Sequence, residues 1–190
     1  MAQVQAAGPD GLSIRLLALT GLRFGELAAL RVGRIDLSRR RLTISESVTE
    51  VGGRLVFSSP KTHQTRTVPV PSSVIPALAA ACDGRAADEL LLTSPRGGPV
   101  RINNWRRRVF DPACERAGIT GVTPRDMRHT AASLAVSAGA NVKPVQRMLG
   151  HASAAMTLDV YAPLFDADLD AVADGLDLLV PPMSSPERDA

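Results

Sequence analysis

Apolar positions follow helical spacing at the start of the chain. LSIRLLAL, from residue 12, clusters them at helical intervals, Thr20-Gly21 breaks the pattern, and FGELAALR resumes it. Two helices separated by a tight break are expected. Arg23 sits at that break, where a side chain can point into a cleft, although most such arginines are simply solvated. From Arg41 the period falls to two. RLTISESV (41–48), RLVFSS (54–59) and TRTVPVP (65–71) read as short strands, joined by Gly52-Gly53 and by a loop at 60–64. The expectation is one three-stranded antiparallel sheet. Lys61 and His63 fall in the second connection, where an exposed cation is the ordinary occupant.

After Pro71 the helical period returns. SSVIPALAAAC (72–82) has a serine start and good helix formers, and residues 89–93 form a short strand or buried connection before a turn at 95–98. Residues 102–118 read as a helix that Pro112 kinks or splits. A helix starting near Pro124 turns Met127, Ala131, Leu134 and Ala135 inward and stops at Gly139. Another spans 142–149, with Pro144 tolerated in its first turn and Gly150 as its stop. A third runs from Ser153 toward Tyr161, the only tyrosine in the chain. Beyond it, 166–179 is amphipathic, with Leu169, Val172, Leu176 and Leu179 at helical spacing, and the last ten residues read as a frayed tail. The pattern as a whole predicts an α+β, mainly α, domain with helices around a small antiparallel sheet.

Composition narrows the class. At 190 residues and 45% hydrophobic content the chain can bury one substantial core. There is no apolar run of about 18 residues to span a membrane and no signal peptide. Cys82 and Cys114 form no disulfide framework or metal spacing, so a reduced, cytoplasmic protein is expected. The net charge of +3 conceals an asymmetry: residues 166–190 hold seven acids and one base, net −6, which leaves 21 bases and 12 acids, net +9, in the body. A basic body suits a polyanionic partner. Twenty of the cations are Arg and only Lys61 and Lys143 are Lys, a bias that a GC-rich genome would produce by itself. Trp105 is followed by Arg106, Arg107 and Arg108, a run that can track a phosphate backbone or simply be a solvated face.

Several motifs fail on inspection. Asp166, Asp168 and Asp170 resemble the opening of a calcium loop, but Ala171 and Asp177 stand where Gly and Glu are needed. No phosphate-binding glycine loop, zinc histidine pair or hydrolase elbow is present, and no metal or cofactor is expected.

Five short pieces then fall in a recognisable order: TGLRFGEL at 20–27, Pro60-Lys61-Thr62, TPRDMRHT at 123–130, Leu149-Gly150-His151, and Tyr161. Together they resemble the catalytic domain of the tyrosine recombinase (phage integrase) family over nearly the whole chain. The resemblance implies a site-specific recombinase or integrase acting on double-stranded DNA, in which a tyrosine hydroxyl attacks a phosphodiester. The attack leaves a 3′-phosphotyrosine and a free 5′-hydroxyl, and covalent storage of the bond energy removes any need for ATP or metal. By that resemblance Tyr161 is the nucleophile, and Arg23 and Arg128 clamp the non-bridging oxygens. Lys61 protonates the leaving 5′-oxygen, which Arg, with a pKa above about 12, cannot readily do. His151 hydrogen-bonds the phosphate or the tyrosine side, and Glu26 supports Arg23 or another catalytic group.

Two departures accompany the resemblance. The family usually carries His three residues before its second arginine, where this chain has Arg125. Arg125 shares a helix face with Arg128 and could contact phosphate, but it could not take the tyrosine's proton. His129 lies four residues from Arg125, at a position that in the family is more often a packing residue. Only 22 residues precede Arg23, too few for the upstream helical domain that commonly clamps the far side of the DNA. The expected organisation is therefore a catalytic domain at 1–165, a C-terminal helix at 166–180 and a disordered tail at 181–190. The helix docks either on its own domain or on a neighbour in a homotetramer on DNA. Reduced activity is implied, and two alternatives stay open: a non-catalytic or truncated DNA-binding remnant that occupies recombination sites, and a topoisomerase-like nick-and-reseal enzyme.

Overall fold

The computed structural model describes residues 9–59 and 65–164, together with Asp174, Leu176 and Leu178. The first two helices form as expected. α1 (Pro9–Thr20) buries Leu12, Leu16 and Leu17, and α2 (Phe24–Ala28) follows after three residues. The break between them is Gly21, at φ +65°, a backbone conformation that L side chains rarely adopt. A Cβ there would come within 2.7 Å of the Leu149 side chain, so the break is also a close packing point.

The period-two region divides differently from expectation. β1 (Ile35–Asp36), β2 (Arg41–Ile44) and β5 (Arg66–Pro69) make the three-stranded antiparallel sheet, in the order β1-β2-β5. β3 (Ser47–Val51) and β4 (Arg54–Ser58) pair only with each other, as a hairpin around Gly52-Gly53. The run at 41–48 is thus two strands, not one. Its buried alternation, Leu42 and Ile44, ends at Ser45, and Val48 packs elsewhere, on Ala28 and Ala29 of the second helix. Leu42 pairs with Val68, and Ile44 with Arg66. Since Leu42, Ile44 and Val68 are buried, the alternation directs Arg66 to the inner face as well.

The chain then passes through α3 (Ile75–Cys82), with Val74 and Leu78 buried, and a buried connection at Leu90 and Leu91 held by isolated bridges instead of a strand. α4 (Ile102–Trp105) runs through a widened π turn (Arg106–Phe110) into α5 (Asp111–Arg116). Pro112 lies within α5, and the irregularity precedes it. Proline has no N–H for the carbonyl four residues back and crowds it, so the preceding turn widens.

α6 (Asp126–Ser137) packs along α1, with Ala131 and Ala132 buried at the contact. α7 (Val142–Leu149) begins with the Asn141 side chain accepting from the Lys143 N–H at 3.2 Å and ends on Gly150 in the left-handed region. α8 (Ala154–Tyr161) begins with Ser153 accepting from the Met156 N–H at 3.3 Å. One core joins the inner faces of these elements with the three-stranded sheet. Trp105 belongs to it: the indole is buried, stacks on Phe110 and donates to Ser13 at 2.9 Å. The amphipathic stretch at 166–179 lies almost entirely outside the described residues. No helix among the described residues is long and apolar enough to cross a membrane.

Candidate active site

The C-terminus of α7 organises the site. A helix end exposes carbonyls without intrahelical partners and carries partial negative charge, so cations gather there. Arg128, on α6, donates to the Gly21 carbonyl at 2.7 Å and to the Leu149 carbonyl. Arg66, from β5, donates through Nε to the Met148 carbonyl at 3.2 Å. These bonds tie three distant segments to one point: the α1–α2 break, the sheet edge and the end of α7. Gly150 allows the approach, because a Cβ on it would lie 2.8 Å from the Arg66 side chain.

Glu26 is the acid at the centre. Its side chain is 2% exposed and accepts from both Arg66 terminal nitrogens, at 2.8 and 2.7 Å, in the bidentate arrangement that fits guanidinium to carboxylate. It also accepts from the Arg23 backbone N–H at 2.8 Å and from its guanidinium at 3.1 Å. Burial works to raise the Glu26 pKa. The hydrogen bonds and charge of Arg66, with those of Arg23, outweigh it and hold the carboxyl below its ordinary range. Glu26 thus holds Arg23, and Arg66 is a second partner that sequence reasoning missed. The signal was available: Arg66 occupies an inward position of the alternation Arg66, Val68, Val70, where a lone cation requires a buried acid.

Arg23, Arg125, Arg128, His129, His151 and Tyr161 line one cleft of about 430 Å³, closed on its apolar side by Leu22, Phe24, Ile102, Pro124 and Val160. Arg23 is 49% exposed, so its guanidinium is available to a ligand while Glu26 steadies it. Arg128 is half-buried. Burial first, then repulsion from Arg23 and Arg66, lowers its pKa to about 10, which leaves it charged at neutral pH. His151 sits just past the α7 stop and its Nδ1 lies 2.9 Å from the buried Thr157 hydroxyl. Desolvation, followed by the charges of Arg128, Arg23 and Arg66, lowers its pKa to about 4, so the ring is neutral at physiological pH.

Tyr161, the last residue of α8, is only 5% exposed. Burial raises its hydroxyl pKa above the ordinary value of 10, and the Arg128 charge offsets this only in part. The hydroxyl lies 2.9 Å from Nδ1 of His129, with the two rings tilted 53° at 5.6 Å. His129 is exposed on α6 and is not a core packing residue. Arg125, exposed one turn earlier, lines the same cleft.

The other candidates fall elsewhere. Lys61 and His63 lie within residues 60–64, outside the described residues. Arg106 pairs with Asp111 at 3.5 Å, Arg107 is exposed, and Arg108 lines a separate cavity beside Ser13 and Trp105. Among the described residues no group of His, Cys, Asp and Glu could hold a metal ion. What the cleft offers is a forked cationic surface suited to an oxyanion, with a protonated phenol and an imidazole in contact at its wall.

A family model described as the phage integrase family matches residues 3–167. The chain is 33% identical over 170 residues to the tyrosine recombinase XerC of Mycobacterium bovis (strain BCG / Pasteur 1173P2), covering 86% of this chain and 52% of that protein. It therefore spans about half the length of the curated relatives it matches. A solved Tn1549 transposon integrase in complex with transposon right end DNA is similar at a TM-score of 0.72 and 25% identity, over 90% of this chain and 58% of that one. The catalytic domain of bacteriophage HP1 integrase shares the fold at a TM-score of 0.59 and 22% identity, over 94% of this chain and 89% of that one.

Proposed function

The chain belongs to the phage integrase family, and from that premise we propose that it cuts and rejoins double-stranded DNA through a 3′-phosphotyrosine at Tyr161. The observation that carries the reading is the cleft in which Tyr161 shares a wall with Arg23, Arg128 and His151. These residues come from four separate segments, and a merely structural tyrosine would need none of those cations beside it.

In this reading Arg23 and Arg128 hold the two non-bridging oxygens of the scissile phosphate. Both are anchored before substrate arrives, Arg23 by Glu26 and Arg128 by two backbone carbonyls. Donors fixed in advance toward developing charge need no reorganisation in the transition state, and losing one typically costs on the order of a hundred- to a thousandfold in rate. His151, neutral and steered by Thr157, adds a neutral donor through Nε2 when the threonine hydroxyl donates to Nδ1. Lys61 supplies the proton to the leaving 5′-oxygen. No ATP or metal enters, because the phosphotyrosine bond retains the energy for rejoining. Residues 1–165 form the catalytic unit. Residues 166–180 dock on their own domain or on a second copy in a homotetramer on DNA, and exposed Arg107 lies on a phosphate-tracking face.

The decisive experiment incubates the protein with a pool of nicked duplexes of randomised sequence and looks for SDS-stable protein–DNA adducts. Wild type yields an adduct and Tyr161→Phe yields none; equal yields would sink the enzyme reading. A second reading has one observation in its favour: Arg125 stands where the family usually carries a histidine. It makes the chain a DNA-binding remnant, with binding that weakens linearly in log affinity against log salt and no adduct from wild type.

A further inference from the structure

We propose that His129 is the catalytic base of this chain, accepting the Tyr161 hydroxyl proton at Nδ1 as the phenolic oxygen attacks phosphorus; the proposal rests on the strand-cleavage reading above. The contact is the one a base requires. The Nδ1 to hydroxyl distance is 2.9 Å, within the reach over which a side chain removes a proton directly. Arg125, at the position usually occupied by His, has donors and no lone pair, so it cannot perform this step.

Three surrounding features fit the assignment. Tyr161 is buried and its hydroxyl stays protonated at neutral pH, so attack needs a proton acceptor. His129 is exposed, and its second ring nitrogen can pass the proton to water. Asp126, one helical turn before His129, accepts from the Thr123 N–H and hydroxyl at 2.8 Å each. Those bonds, with smaller help from the charges of His129 and Arg125, keep it ionised, so an anion stands by as the imidazolium forms. Adjacent positions on α6 thereby divide the work: Arg128 addresses the phosphate and His129 the nucleophile.

The bond from the Tyr161 oxygen to phosphorus forms, the bond from phosphorus to the 5′-oxygen breaks, and the phenolic proton passes to Nδ1. The leaving 5′-oxygen takes its proton from the general acid, the role proposed above for Lys61. Rejoining reverses each transfer.

The test uses the full chain and a nicked duplex selected from the randomised pool by adduct formation with wild type. His129→Asn keeps a hydrogen-bonding atom near the Nδ1 position but is not basic. Single-turnover adduct formation should fall on the order of a hundredfold or more, with DNA affinity unchanged. The acid limb of the wild-type pH–rate profile should vanish. Around His129 the other charged or titrating groups are Asp126, Arg125 and Arg128 on its own helix, Tyr161 on α8, and Arg23 and His151 across the cleft, and all of them remain. Imidazole added to His129→Ala should restore rate. A substrate with sulfur in place of the bridging 5′-oxygen should leave the His129→Asn defect intact, because a thiolate departs without a proton, and should relieve Lys61→Ala. Wild-type rate in His129→Asn, an unchanged pH limb, or relief by the sulfur substrate would overturn the assignment. A wild type that binds but forms no Tyr161 adduct would remove the cleavage reading itself, a distinct result.

Discussion

Replacing Arg66 with Met tests the frame beneath the cleft. Glu26 is 2% exposed and Arg66 11% exposed, so the pair is screened little by solvent. The substitution strips two of the carboxylate's four hydrogen-bond donors and its buried counter-charge, leaving only Arg23. Removing one partner of a buried pair costs about 3–5 kcal/mol, because the remaining charge stays desolvated. For a domain of this size each kcal/mol moves Tm by roughly 2–4 °C, which gives a drop of about 6–20 °C at pH 7. The pH dependence makes the test specific. In the wild type the folded carboxyl titrates below its ordinary 4.5. That stabilisation is present above the unfolded value and is lost as pH falls through the folded one. In Arg66→Met burial dominates and the folded carboxyl titrates above 4.5, so acidification favours the folded variant. Urea unfolding of both proteins at pH 7 and pH 4 should therefore show the gap contracting at the lower pH. A gap below about 1 kcal/mol at pH 7, or one that does not change with pH, would refute the buried-pair argument. The double variant Glu26→Leu with Arg66→Met should recover much of the loss, since no unpaired charge then remains.

Gly21→Ala places a Cβ 2.7 Å from the buried Leu149 side chain at φ +65°, and strain plus overpacking should cost about 2–4 kcal/mol in denaturant unfolding. His151, with its pKa lowered to about 4 from an ordinary 6.5, contributes stability that is complete above 6.5 and declines as pH falls toward 4, because the unfolded chain binds its proton first. His151→Asn should flatten the stability curve over that window, and an unchanged slope would show that the ring is not desolvated in the folded state.

Much of the candidate site was legible because its residues interrupt a pattern. Arg23 follows a helix break, His151 follows a helix stop, and Tyr161 is the only residue of its kind. Each stands out against apolar periodicity, and the family resemblance gave their order meaning. The sheet was less legible. RLTISESV alternates as one strand, and nothing local in it says that Val48 packs on Ala28 and Ala29 while Leu42 pairs with Val68. That choice is made by tertiary packing, which overrides strand propensity. The same limit hid the partners. That Glu26 faces Arg66, 40 positions away, and that His129 faces Tyr161, 32 positions away, depends on how helices and sheet close on one another. Spacing along one helix can show that Arg125, Arg128 and His129 occupy neighbouring faces, but not which of them meets α8.

The depressed values at Arg128 and His151 share a cause that explains what the cleft is built to hold. Both groups are desolvated among Arg23 and Arg66, so each cation lowers its neighbours' affinity for protons. Glu26, the acid that raises the Arg128 value, is already committed to two guanidiniums. A tetrahedral oxyanion entering between Arg23 and Arg128 supplies the missing negative charge and raises the proton affinity of both groups. The cleft is thus electrostatically suited to an anion. In the proposed reading the same anion acts on Tyr161 in the opposite sense for catalysis: by raising the phenol's proton affinity further, it makes spontaneous ionisation of the hydroxyl less accessible once the phosphate is bound. Binding and activation therefore conflict at this tyrosine. A base in direct contact with the hydroxyl resolves the conflict, and the exposed imidazole of His129, on α6, makes that contact.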